Sequence, residues 1–247
     1  MTKLFIHHHL GLGDHLDCNG MVRHIQQHGG VEGVWRSAHQ YDTVGVFSKP
    51  NYFNMIEYMY RDTDKIEVFK VSKDNEYGDV KQILEEDPLS NLITVGHQHY
   101  PGKQTELSQN KNCWEFFYEQ IEMPYDIRYK EFYVERDLEE ERRVFDKLNP
   151  NNESYIFIHE DSDRGFLLNR EHFIDKNLKI IENDVTENIF HFTKIIEEAQ
   201  EIHCMESSFK TLIDFYAKQD HIFYHDIRES QPLGQHSSPK WKVVSYE

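Results

Sequence analysis

The sequence predicts an α/β fold of two halves, each a parallel sheet with crossover helices. Three observations lead there. Short apolar runs of strand length alternate with amphipathic stretches of helix length. The alternation lapses in a charged, aromatic-rich middle and then resumes. Each half opens with a strand that runs into a polar loop. The pattern is that of two Rossmann-like halves facing a cleft.

The elements follow in order. Leu4-Phe5-Ile6 begins a buried strand that leads into His7-His8-His9 and is broken at Gly11 and Gly13. A helix is expected from Asp14 to His28, with Leu16, Val22 and Ile25 inward and Gly29-Gly30 as its stop. Thr43–Phe47 is the second strand, and Phe53, Ile56 and Tyr60 give helix spacing to the stretch from Tyr52 to Tyr60. Ile66–Phe69 and Leu92–Val95 complete the first set of strands. Trp114 to Ile121 reads as an aromatic-rich helix whose stripe (Trp114, Phe117, Tyr118, Ile121) belongs to a core. Glu135 to Leu148 is a charged helix with a solvated face, closed by Asn149-Pro150-Asn151-Asn152. Strands then recur at Tyr155–Ile158, Leu178–Ile181, Ile202–Met205, His221–Tyr224 and Trp241–Val244, with helices at Phe192–Ala199 and Ser207–Lys218. The expected organisation is a first domain over 1–134, a linker helix over 135–150 and a second domain over 151–247.

Composition narrows the function. The 247 residues carry 27 Lys plus Arg against 44 Asp plus Glu, a net charge of −17. A chain so acidic, with no basic patch, is not expected to bind nucleic acid or anionic membrane. No apolar run approaches the roughly 18 residues of a membrane span, and no secretory leader is visible. The three cysteines, Cys18, Cys113 and Cys204, are odd in number and widely spaced. That fits neither a disulfide framework nor a CxxC metal site, and a reducing cytoplasm is expected.

Three strand exits could carry chemistry, because ligands of open α/β sheets bind at the carboxyl ends of the strands. The first is His7 to His15. Gly11 and Gly13 let a ligand approach the backbone, and the helix start favours an anion. Asp14 is either the helix cap or a general base. His9, His15 and, from the fourth strand, His97 are expected to line the same cleft. His7 and His9 share a strand face while His8 points away, so the run cannot supply three converging metal ligands. No metal site and no cofactor are expected. The second exit is Phe157 to Phe166. Here His159 ends the strand, and Arg164 either pairs with its acidic neighbours or holds a phosphate. The third is His203 to Phe209. Ser207 or Ser208 caps the next helix and can hold a diphosphate with the helix N–H groups, while Glu206 can accept ribose hydroxyls.

With these loops in view, a family resemblance emerges. Leu10-Gly11-Leu12-Gly13-Asp14-His15-Leu16, followed by Asn19-Gly20-Met21-Val22-Arg23, resembles the opening loop and helix of the heptosyltransferase-like glycosyltransferases. Their motif is Gly-x-x-Gly-Asp, one residue longer than the Gly-x-Gly-Asp here. Met205-Glu206-Ser207-Ser208-Phe209-Lys210-Thr211-Leu212-Ile213 resembles their later Asp-Ser/Thr-Gly loop, with Glu206 in place of the aspartate and Phe209 where a small residue is usual. Arg164 resembles a phosphate-binding cation of their second domain, and the fucosyltransferase-like members share the architecture. The resemblance implies the two-domain GT-B fold, with Asp14 as base on the acceptor hydroxyl. It also implies a nucleoside-diphosphate sugar held by Gly11, Gly13, His159, Arg164, Glu206, Ser207, Ser208 and Phe209. The expected activity is inverting, metal-independent transfer of a hexosyl, heptosyl or deoxyhexosyl group from that donor to a glycan or other hydroxyl. The alternatives are another nucleotide-sugar enzyme such as an epimerase, a non-catalytic nucleotide- or glycan-binding module, and a dinucleotide or methyl-donor enzyme. The last lacks a clean GxGxxG.

Overall fold

A computed structural model describes residues 3–29, 41–99, 113–228 and 240–246. Two compact units emerge, Met1–Glu135 and Arg136–Glu247.

In the first unit, strands β1 (Lys3–His7), β2 (Thr43–Ser48), β3 (Ile66–Lys70) and β4 (Asn91–Thr94) form a parallel sheet in the order β3-β2-β1-β4. Both inner strands are buried on both faces, which is why they read as unbroken apolar runs. Helices α1 (Leu12–His28), α2 (Phe53–Met59), α3 (Glu76–Glu86), α4 (Cys113–Glu119) and α5 (Ile127–Lys130) complete the unit. Gly20 of α1 lies where a Cβ would meet the Ile127 carbonyl oxygen at 2.6 Å and that of Arg128 at 2.9 Å, so α1 and α5 touch backbone to backbone. Beneath that contact Arg128 Nε donates to Asp17 Oδ1 at 2.7 Å, with both side chains fully buried. The Tyr118 hydroxyl donates to the Asp17 carbonyl at 2.9 Å and accepts from the Met21 N–H at 3.1 Å.

In the second unit, α6 (Leu138–Leu148) precedes β5 (Tyr155–His159), β6 (Lys179–Glu182), α7 (Thr193–Glu198), β7 (Glu201–Cys204), α8 (Ser208–Tyr216), β8 (Ile222–Asp226) and β9 (Trp241–Ser245). The sheet is parallel throughout, in the order β6-β5-β7-β8-β9. The helix expected as a linker, α6, packs against α7 and is part of this unit. Its buried face carries Val144 and Phe145. Its outer face pairs Arg143 and Lys147 with Glu187.

A directed chain of hydrogen bonds runs through this second core. Glu201 Oε1 accepts from His203 Nε2 at 2.5 Å, and His203 Nδ1 accepts from His225 Nε2 at 2.6 Å. His225 Nδ1 accepts from the Tyr246 hydroxyl at 2.6 Å, and that oxygen accepts from the Asn169 N–H at 2.7 Å. One assignment of protons satisfies every link, and it keeps both imidazoles neutral. Burial pushes both down to about 3. In the first unit, burial pushes His8 down to about 4 and holds His15 well below the usual histidine value. Below pH 6.5 an unfolded chain takes up protons that these four folded rings refuse. Stability is therefore full above pH 6.5 and falls as the pH drops from there towards 4. His9, whose pKa is raised, opposes this with a single, largely exposed ring. His8 alone implies a loss on the order of 3 kcal/mol by about pH 4. Urea unfolding at about pH 7 and about pH 5 tests this, with a markedly lower midpoint expected at the lower pH.

Candidate functional site

Strand order reverses between β1 and β4 in the first unit, and between β5 and β7 in the second. At such a switch point the two connections leave on opposite faces of the sheet. The carboxyl ends of the two strands therefore frame a crevice. Two of the three expected loops leave β1 and β7, and the other leaves β5.

In the first unit, α1 starts two residues before Asp14. Gly11, in extended conformation, is the N-cap and makes no side-chain cap bond. Asp14 is thus not the cap but a first-turn residue, and its carboxylate is free to turn outward. His9 Nδ1 donates to Asp14 Oδ2 at 2.7 Å, and Trp114 Nε1 donates to Oδ1 at 3.3 Å. The bond to Asp14 raises the His9 pKa. His9 is the outermost member, with its side chain 56% exposed against 20% for Asp14. A Cβ on Gly11 would meet Asp14 Oδ2 at 2.6 Å, so only glycine leaves the carboxylate where it is. Gly13 is the second residue of the helix and half-buried. His97, stacked on Phe116 with centroids 5.1 Å apart, feels the charges of both His9 and Asp14. His15 is not at the surface. It lies fully buried, with its ring edge-on to His8 at 4.5 Å.

Beside this triad, His7 Nε2 lies 2.8 Å from Glu76 Oε1, and Lys49 is 3.5 Å from the same carboxylate. His99 packs on the His7 ring at 4.6 Å. Burial lowers the pKa of His7, and pushes His99 down to about 4.

In the second unit, Ser207 is the N-cap of α8, its hydroxyl accepting from the Lys210 N–H at 3.4 Å. Ser208 is the first helical residue. Glu206 Oε2 lies 3.4 Å from Lys210 Nζ, and burial raises the Glu206 pKa. The Phe209 ring is directed into the core, where it packs on Phe157, Phe192 and His159. His159 is positioned by that ring and by Asn183, whose Oδ1 accepts from its Nδ1 at 2.7 Å. Arg164 ends a short 3-10 turn (Ser162–Arg164), paired with Asp161 and 57% exposed.

A residue that sequence reasoning passed over, Arg228, reaches the same end of the sheet from beyond β8. Its Nη1 donates to the Glu206 carbonyl at 3.2 Å, and it flanks the Phe166 ring, as Arg164 does. The signal available was its place just after a strand exit. For Trp114 the sequence favours a core position over a sugar-stacking one, and nothing local links it to a residue 100 positions earlier.

No helix among the described residues is long and apolar enough to cross a membrane. No family model and no curated protein matches the chain. Solved structures do. A glycosyl transferase family 9 protein from Veillonella parvula matches with a TM-score of 0.57 and 9% identity, over 100% of this chain and 88% of that one. The E. coli ADP-heptose LPS heptosyltransferase II matches with a TM-score of 0.54 and 10% identity, over 99% and 90%. The mixed α/β fold with two parallel sheets is the GT-B type of fold that these glycosyltransferases have.

Proposed function

We propose that this protein is a glycosyltransferase that moves a sugar from a nucleoside-diphosphate sugar to an acceptor hydroxyl, with inversion. The observation that carries the proposal is Asp14, a carboxylate held by two N–H donors at a sheet switch point. The donor class is supported by a match to a heptosyltransferase that uses ADP-heptose.

In this reading Asp14 takes the proton of the acceptor hydroxyl. The oxygen attacks the anomeric carbon as the bond from that carbon to the diphosphate breaks. The bonding pair leaves with the diphosphate. The α8 N-terminus at Ser207 and Ser208, together with Arg164, Arg228 and Lys210, supplies the positive potential that the leaving group needs. The reaction so drawn takes no metal ion, and Glu206 holds the nucleoside ribose.

One observation favours a second assignment within the same pair. His9 is the more exposed partner, and its Nε2 faces away from Asp14. His9 would then be the base and Asp14 the group that orients it.

A thermal-shift screen against nucleoside diphosphates and their sugars, with NAD and S-adenosylmethionine as controls, tests the donor class. One diphosphate at about a hundred times its dissociation constant should add about 2.7 kcal/mol of stability. The shift should shrink in Arg164→Ala and in Arg228→Ala. Stabilisation by NAD or S-adenosylmethionine alone would overturn the proposal. Conversion of a nucleotide-sugar without acceptor would point to an epimerase instead.

A further inference from the structure

The far end of α1 holds a second cluster of titratable groups, away from the Asp14 loop. His24 and His28 are spaced i,i+4, so their rings share one helix face, with centroids 4.6 Å apart. Glu131, which follows α5 directly, comes up against both. Its Oε1 is 3.8 Å from His24 Nδ1 and 3.9 Å from His28 Nε2. One donor atom from each residue lies within 4.8 Å of the others. Neither separation is a hydrogen bond. His24 Nδ1 is buried with no hydrogen-bond partner among the described residues. Three lone-pair donors therefore converge without satisfying one another.

We propose that His24, His28 and Glu131 form a transition-metal site, with Zn²⁺ as its best-suited occupant. Two imidazoles and a carboxylate are donors that suit zinc, nickel and copper rather than magnesium or calcium. Tetrahedral zinc with bonds of about 2.1 Å sets its ligands about 3.4 Å apart. The two His–Glu separations need to close by only about 0.5 Å and the His24–His28 pair, within 4.8 Å, by at most about 1.4 Å, which side-chain rotation supplies. The two backbones are already fixed against each other by the Gly20 contact and the Asp17–Arg128 pair. The site lies at the C-terminal end of α1, where the helix dipole favours a cation. Three protein ligands leave one coordination position for water.

The ligands come from segments that only folding brings together. The metal therefore binds the native chain and acts as a staple between α1 and the end of α5. The proposal is independent of the transferase reading, and its test uses no activity.

Tag-free protein, stripped with chelator, is titrated with ZnCl₂ by calorimetry and by thermal melting. One Zn²⁺ per chain is expected at this site, with a melting temperature that rises with zinc. Co²⁺ in place of zinc should give the intense visible bands of a tetrahedral site. His28→Gln and Glu131→Gln, both at partly exposed positions, should melt like the parent without metal. Each should weaken zinc binding by at least about tenfold, since even outer-shell partners of a metal are worth that much. His24→Gln should abolish the cobalt bands. No binding at about 0.1 mM zinc, or binding unchanged in His28→Gln and Glu131→Gln, would overturn the assignment.

Discussion

Asp14→Asn should lower the rate of sugar transfer by about 10²- to 10⁴-fold, the range a positioned base supplies. The substitution keeps the size of the side chain and at least one of its two contacts. The amide oxygen still accepts from either His9 Nδ1 or Trp114 Nε1, both of which now donate to the carboxylate. What it loses is the capacity to take a proton. Donor affinity in the thermal-shift assay should be unchanged, because the groups proposed to hold the diphosphate belong to the second unit. A fall in rate with donor affinity preserved is the signature of a group that acts in the transition state. An unchanged rate would remove Asp14 from the chemistry.

The companion substitution His9→Gln separates the two assignments. With Asp14 as the base, His9 only orients and neutralises it, and the loss should be modest. With His9 as the base, both substitutions should cost comparably, since a dyad acts as a unit. The pH profile adds a second criterion. The bond to Asp14 raises the His9 pKa. If neutral His9 is the base, activity should rise only as the pH passes above that raised value. If His9 instead serves as a cation beside Asp14, activity should fall there.

The sheets were legible because their inner strands are buried on both faces and so read as apolar runs. Phe5, Ile6, Phe157 and Ile158 are each within 1% of fully buried. Helix α3 was not anticipated. It turns a narrow stripe of Val80, Ile83 and Leu84 to the core, while Gly78 and its charged residues weaken the pattern. Strand exits were legible as loci because glycine and polar residues follow apolar runs. His9 and Asp14 were placed at one strand exit, but their hydrogen bond was not read from the sequence. Arg164 is a further case of close partners, since Asp161, three residues away, engages it, the acidic pairing that was one of its two alternatives. Trp114 and Arg228 arrive from elements remote in sequence, and no local pattern announces such a contact.

Asp17→Ala should destabilise the first unit by about 3–5 kcal/mol, the cost of leaving one member of a buried ion pair behind. Arg128 is among the largest fully buried side chains of the protein, and its guanidinium is held by Asp17. Removing the carboxylate takes the Nε acceptor away from a guanidinium that no water reaches. Cavity formation is the smaller part of the effect, because the lost side chain is small. The two contributions can be separated. If the stranded charge dominates, Asp17→Leu combined with Arg128→Met should recover most of the loss, since a buried pair replaced by apolar groups of similar volume is often neutral. Should the double variant be as unstable as Asp17→Ala, packing around α1 and α5 would be the cause instead. Urea unfolding measures both, with the midpoint moving and the slope held. The pair also bears on the proposed chemistry. Asp17 lies one helical turn beyond Asp14, so the contact that anchors α1 to α5 also fixes the turn that presents the proposed base. A stable double variant with reduced transfer would show that this pair, beyond holding the fold, sets the direction of Asp14.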